Sequence, residues 1–177
     1  MNKVYGHFKT ITTHKVKVMK LCFKCGLYKQ GLLHDLSKYS PVEFLSGVKY
    51  YQGYRSPISY EKEVIGYSKA WLHHKGRNKH HFEYWIDSID GKFQGIEMPT
   101  CYLIEMFCDR IVASQVYKKE AYKDDSALEY FLNAKEGYDL MHPQTKQDLE
   151  FLLTHVKDHG LDATVEYIRK NILKNKK

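Results

Sequence analysis

The sequence predicts an all-α fold. Apolar residues recur at helical spacing over long runs, turn-forming residues are sparse (4 prolines and 11 glycines in 177 residues), and no two segments read convincingly as paired strands. The hydrophobic fraction of 43% marks a globular chain. Its length suits one domain, residues 1–177, with enough chain to bury a core. Roughly seven or eight helices are expected.

Residues 5–25 read as an amphipathic helix, with Phe8, Ile11, Val18, Leu21 and Cys22 on one face and Gly26 ending or kinking it. A second helix over 27–37 would carry His34 and Asp35. "SPVE" then signals a helix start: Ser40 as N-cap, Pro41 at the first helical position and Glu43 completing a capping box, for a helix over 41–50. "YQGYRSPIS" is a loop. A helix over 60–74 follows, stopped near Gly76, and a short one over 81–87. "DGKFQGIEMP" reads as a turn-rich connector with at most a brief extended piece. Thr100 caps a helix to 118 that contains Asp109. Helices over 126–137, 143–158 (Pro143 at its start, Gly160 at its end) and 163–173 complete the chain.

The net charge of +7 is unevenly placed. Seven lysines and no acid precede Asp35, and Arg169, Lys170, Lys174, Lys176 and Lys177 close the chain. That asymmetry points to an anionic partner, whether a phosphorylated small molecule, nucleic acid or a membrane surface, beside the plainer reading of a solvated lysine face. The N-terminus is charged throughout, unlike a signal peptide, so a cytoplasmic location is expected. No apolar run approaches the ~20 residues that span a bilayer, so no membrane role is expected. The four cysteines read as reduced thiols at core positions. Cys22-x-x-Cys25 would be half a zinc site, but Cys101 and Cys108 are poorly spaced to complete it. P-loop, GxGxxG, HExxH and nucleophile-elbow motifs are absent.

The chemistry concentrates in histidines and aspartates. "WLHHKGRNKHHFEYW" (71–85) holds His73, His74, His80 and His81, four of the chain's ten histidines. His14, His34, Asp35 and Asp109 fall on other helices. Imidazole plus carboxylate is a ligand set for Mn, Fe, Zn or Ni, and bundle cores build such sites from facing helices. Vicinal His34 and Asp35, ~100° apart on a helix, could tilt towards one ion. On a straight helix His74 and His81 would stand ~10.5 Å apart, too far for bonds of ~2.0–2.1 Å to one ion. A turn at Gly76 and Asn78 would fold the second pair back. Asp109 sits in an apolar helical run, where an unpaired carboxylate is costly, so it needs a cation or a metal. Glu83 is a candidate to hold a ligand imidazole from outside.

The ordered set H…HD…H…H…D on helices resembles the HD-domain superfamily of metal-dependent phosphohydrolases. "HDLSK" (34–38) is similar to its central H-D-x-x-K element, His14 to its first-helix histidine, and Asp109 in "MFCDRIVA" to its closing aspartate. "AWLHHKGRNKHHFEYW" resembles the added histidines of binuclear members, although its two pairs lie closer together than in most of them. The chain also resembles a small uncharacterised bacterial and phage family associated with that superfamily. The resemblance covers residues 7–118, leaving 119–177 as additional C-terminal helices.

The resemblance implies an HD-like bundle. His14, His34, Asp35 and Asp109 would hold one divalent transition-metal ion, and His74 and His81 would hold a second or complete the site, with Asp35 bridging. Metal-bound hydroxide would attack a nucleotide or another small phosphoester. Lys38 would steady the phosphate as a point charge, with Arg77 and His80 doing the same from the loop. Two alternatives stand beside this: a mixed-valent diiron oxygenase using the same ligands, and a non-enzymatic basic helical module that binds nucleic acid. Neither oligomeric state nor substrate identity is legible.

Overall fold

The buried stripe of the first helix, α1 (Lys3–Cys25), runs His7, Ile11, His14, Val18, Leu21, Cys22, Cys25, which is the 3–4 spacing of a helix packed on one side. The computed structural model describes residues 2–134 and 138–174. Residues 135–137, the expected end of the 126–137 helix, and Lys176 and Lys177 of the basic terminus lie outside the described residues. Gly26, at φ 90°, stops α1 in a left-handed turn, and its N–H donates to the Cys22 and Phe23 carbonyls. α2 (Tyr28–Leu33) folds back on α1 at close range: a Cβ on Gly31 would stand 3.0 Å from the Met19 carbonyl oxygen.

The expected helix over 27–37 is broken. α2 ends at Leu33, Asp35 takes a left-handed φ of 56°, and Leu36–Tyr39 form a 3-10 turn. His34 and Asp35 therefore sit on a turn and not on a helix. Burial is the physical reason: both residues are 1% exposed, and the turn aims them inward where a continued helix would separate them by ~100°. Lys15 of α1 fixes the turn, its Nζ donating to the Leu32 and His34 carbonyls at 2.8 and 2.9 Å.

α3 (Pro41–Lys49) starts where "SPVE" predicts, with the Ser40 hydroxyl accepting from the Glu43 N–H at 3.5 Å, but Glu43 does not complete a capping box, because its carboxylate is turned to His73 and His74. The expected helix over 60–74 is two helices, α4 (Pro57–Ile65) and α5 (Lys69–Lys75), separated at Gly66 (φ 81°). Ser68 caps α5, accepting from the Trp71 N–H at 2.9 Å. Residues 82–85 form only a 3-10 turn. The connector after it holds an antiparallel hairpin, β1 (Ile86–Ile89) with β2 (Lys92–Gly95), paired Ile86 to Gly95 and Ile89 to Lys92. Asp90 and Gly91, both at positive φ, make the two-residue turn that "DG" favours. Both strands are largely exposed and lack the alternation that marks a strand in sequence.

α6 (Thr100–Lys118) is buried on most of its circumference, including Ile104, Phe107, Cys108 and Ile111 at 0% exposure. α1, α2, α7 (Ser126–Asn133) and α8 (Pro143–His159) all pack against it. Such a helix needs no amphipathic stripe, because every face has a neighbour. α9 (Leu161–Tyr167) continues into a π-helical segment, Ile168–Leu173, that also contacts α6. The fold is all-α, with nine α-helices and one small hairpin among the described residues. Cys22, Cys25 and Cys108 are core thiols, with the Cys25 and Cys108 sulfurs 4.0 Å apart, and no cysteine joins a metal-ligand group among the described residues. No helix is long and apolar enough to cross a membrane among the described residues.

Leu153, 0% exposed on α8, reports this packing. Leu153→Ala is expected to cost about 2–5 kcal/mol in urea unfolding. A second handle is His7, whose ring packs on Gly47 of α3. Burial, then the nearby Lys38 charge, holds its imidazole down from 6.5 to about 4. The unfolded chain therefore binds the proton more readily, so stability falls as pH drops from 6.5 towards 4. His7→Phe should lose less stability over that window, as measured by thermal unfolding against pH.

Candidate metal centre

Four elements converge on the 34–39 turn. α1 supplies His14, α5 supplies His74, the loop after it supplies His80 and His81, and α6 supplies Asp109 and Glu105. The loop turns back at Gly76–Asn78, as the spacing of the histidine pairs requires. Asn78 holds that turn: its amide donates to the His74 carbonyl at 2.8 Å and to the Ser37 hydroxyl at 2.7 Å. The His74 and His81 ring centroids come within 4.8 Å, and Trp71 stacks on His74 from behind.

Asp35 is the centre of the cluster. Its Oδ2 faces His34 Nε2 at 3.3 Å and His14 Nε2 at 3.7 Å. Its Oδ1 faces His74 Nε2 at 3.3 Å and His80 Nε2 at 3.5 Å. Asp109 Oδ1 closes the first group, 2.8 Å from His14 Nε2 and 3.8 Å from His34 Nε2. Two sets of donor atoms share Asp35: His14, His34, Asp35 and Asp109, and Asp35, His74, His80 and His81. All six expected ligands lie in these two sets.

The unoccupied hydrogen-bonding capacity fits a cation. Among the described residues Asp35 Oδ1 and the Nε2 atoms of His34, His80 and His81 are buried without a hydrogen bond, while Asp35 Oδ2 is met at close range by the Lys38 ammonium. Buried polar atoms are rarely left so. Separations of 3.3–3.8 Å are long for hydrogen bonds. They match the ~3–4 Å between donors that each bind one ion at ~2.0–2.2 Å. The clusters can hold a metal ion.

Glu105 forms a third possible donor group with His34 and His80, Glu43 lies outside all three, and both carboxylates meet the rings at Nδ1. Glu105 Oε1 lies 2.9 Å from His34 Nδ1 and 3.1 Å from His80 Nδ1. Glu43 reaches His74 Nδ1 at 2.8 Å and His73 Nδ1 at 2.6 Å. A carboxylate on Nδ1 fixes the tautomer and leaves Nε2 as the free donor. Glu83, expected in this role, makes no hydrogen bond to a histidine among the described residues, and burial pushes its carboxyl up. Neither Glu43 nor Glu105 is singled out by sequence. Glu43 looks like half a capping box, and Glu105 is an acid inside an apolar run, the same signal that marks Asp109.

Charge explains the protonation pattern. Burial opposes ionisation of Asp35, but His34, Lys38 and His74 outweigh it and hold the carboxyl well below its usual range. Asp109 is held down in the same way against burial, chiefly by its bond to His14. Burial also opposes the His34 imidazolium, yet Asp35 and Glu105 raise it to about 10. Burial first, then the crowding of the neighbouring imidazoles, pushes His81 well below the usual histidine value. The carboxylates are thus ready ligands, and His34 would surrender a proton when a cation takes over its role.

The three residues expected to handle phosphate part company. Lys38 is at the centre, its Nζ 2.5 Å from Asp35 Oδ2. His80 is among the donor atoms and not on a loop facing solvent, because the turn at Gly76–Asn78 buries it to 1% exposure. Arg77 is not among the donors but lines a cleft of about 170 Å³ with Lys29 and Lys79, which borders the cluster at His80 and Glu105.

Residues 3–155 match the model of a family of unknown function, DUF5662. The chain belongs to that family. The match contains every donor of the cluster and runs beyond residue 118, where the sequence resemblance stops, through α7 and most of α8. No curated protein and no solved structure matches the chain.

Glu105→Gln is expected to weaken divalent-metal binding by about 10–100-fold while leaving unfolding by urea cooperative, measured by titration with a metal indicator dye.

Proposed function

We propose that the protein is an HD-type metal-dependent phosphohydrolase acting on a small phosphoester, with two divalent transition-metal ions sharing Asp35. The observation that carries this reading is the division of the donors: one buried aspartate presents each oxygen to a separate set of histidines. Ions a few ångströms apart that share a carboxylate suit phosphoester hydrolysis, since they neutralise the phosphate and lower the pKa of a bound water towards ~7.

The chain's own residues supply the rest. His14, His34 and Asp109 would hold one ion with Asp35, and His74, His80 and His81 the other. Glu105 and Glu43 keep the imidazoles aimed through Nδ1. Lys38 is 24% exposed at its side chain while its Nζ touches Asp35. It can balance the charge of the aspartate and meet a phosphate oxygen from the open side. The burial of the other donors excludes bulk water and strengthens each charge interaction.

The same imidazole and carboxylate donors suit iron, so the diiron oxygenase reading is separated by the element found. The test is elemental analysis of protein purified without a histidine tag or chelator, beside Asp35→Ala. One or two equivalents of manganese or zinc, lost in Asp35→Ala with the helical circular dichroism retained, is the expected result. Iron with oxygen-dependent turnover would favour the oxygenase. Protein that takes up none of Mn, Fe, Zn or Ni on reconstitution would overturn both.

A further inference from the structure

Lys29 of α2 and Arg77 and Lys79 of the 76–81 loop line one cleft of about 170 Å³. Its room is more than tenfold the ~10–15 Å³ that a single water needs, so a ligand of several atoms fits. None of the three cations makes an ion pair among the described residues. Surface cations elsewhere do, as Lys24 with Asp162, Arg55 with Glu63, Lys118 with Glu129 and Lys170 with Glu166. The one acid lining the cleft among the described residues is Glu105, and it is committed to the Nδ1 atoms of His34 and His80.

The cations stand on fixed supports. Arg77 and Lys79 flank Asn78, whose amide is bonded to the Ser37 hydroxyl and the His74 carbonyl. The Arg77 N–H donates to the His74 carbonyl at 3.1 Å. The Lys79 carbonyl accepts from the Trp85 indole at 2.7 Å, and its ammonium lies 5.6 and 5.7 Å from the ring centres of Tyr84 and Tyr102. Lys29 is carried by α2, which is seated against α1 at Gly31. Like charges gathered this way repel one another, and a bound anion removes that repulsion. The cleft touches the metal centre at His80 and Glu105 without opening onto its donor atoms. His80 Nδ1 is held by Glu105, and its Nε2 is buried, as are those of His34 and His81 and Asp35 Oδ1. A ligand in the cleft therefore stands beside the metal position and out of reach of a water bound there.

We infer that this cleft binds a small oxyanion of two negative charges, of the sulfate or phosphate kind, as an effector of the metal centre and not as its substrate. Three cations against one carboxylate leave an excess of two positive charges, which a dianion balances. The planar fork of Arg77 can meet two oxygens of a tetrahedral oxyanion, with Lys29 and Lys79 acting as point charges. The site does not depend on the phosphohydrolase reading, because Lys29, Arg77 and Lys79 lie outside the donor groups. Charge couples the two sites. An anion beside the centre favours a divalent cation within it, and by linkage the cation tightens the anion by the same factor.

The experiment is calorimetric titration of sodium sulfate into chelator-stripped protein at constant ionic strength. It compares wild type, Arg77→Ala, Lys29→Ala and a control, Lys17→Ala, on the exposed face of α1. Wild type and the control should bind sulfate equally, and Arg77→Ala should bind it about tenfold or more weakly, with Lys29→Ala weakened in the same direction. Chloride should not compete. Methyl phosphate then separates the two sources of such an anion: its exclusion marks a free ion, its acceptance the end group of a larger molecule. No sulfate binding, displacement by chloride, or equal weakening in Lys17→Ala overturns the site. The effector role is read from manganese titration with and without saturating sulfate. Sulfate should tighten manganese binding about fivefold or more in wild type and not in Arg77→Ala. Unchanged manganese affinity, or tightening that persists in Arg77→Ala because sulfate sits on the ions, overturns that role. Protein that binds sulfate through Arg77 and takes up no metal keeps the anion site and removes the metal-centre reading.

Discussion

A single buried carboxylate organises this protein. Asp35 is 1% exposed and its Oδ1 has no hydrogen bond among the described residues, yet it stays ionised because His34, Lys38 and His74 surround it, with Lys38 paired to Oδ2. An isolated carboxylate in such a place is far too costly to keep its charge. Compensation must arrive from several elements at once, and this explains why α1, α5, α6 and the 76–81 loop all meet at one turn. The left-handed φ of Asp35 belongs to the same constraint, since breaking the helix at Leu33 lets vicinal His34 and Asp35 face the same point.

The supports of this centre are placed by the core. α6 carries Asp109 and Glu105 at positions four apart, on adjacent turns of one face, while Ile104, Phe107, Cys108 and Ile111 anchor the helix among α1, α7 and α8. Helix-borne ligands are positioned more firmly than loop-borne ones. The 76–81 loop, which contributes His80 and His81, is correspondingly tied down by Asn78, by Trp71 against His81 and by the Trp85 indole donating to the Lys79 carbonyl. Glu43 links α3 to this loop's root through His73 and His74.

Much of this was legible in the chain before folding. Period-3.6 apolar spacing located α1, and local cap chemistry located the starts of α3 and α8. The residue types pointed to a candidate metal cluster, the resemblance to the HD superfamily implied His14, His34, Asp35, His74, His81 and Asp109 as its ligands, and the fold brings all six into groups that could hold an ion. Gly76 and Asn78, and the distance a straight helix would put between two histidine pairs serving one ion, already suggested the turn there.

What only the tertiary structure decided is anything that depends on pairing across the chain. The break at Leu33, the split of α4 from α5 and the exposed hairpin β1–β2 reflect packing and short turns that leave weak periodicity. His80 became a donor and Arg77 did not, because a one-turn loop sets which side chain points inward and spacing alone does not. Glu105 and Glu43 declare their role only through contacts to histidines 71, 25, 30 and 31 residues away. The sequence by itself determined the helical class and the chemical identity of the donors, through local periodicity and side-chain type. The fold decided their grouping about the two oxygens of Asp35, because distance in space between distant residues is a property of packing.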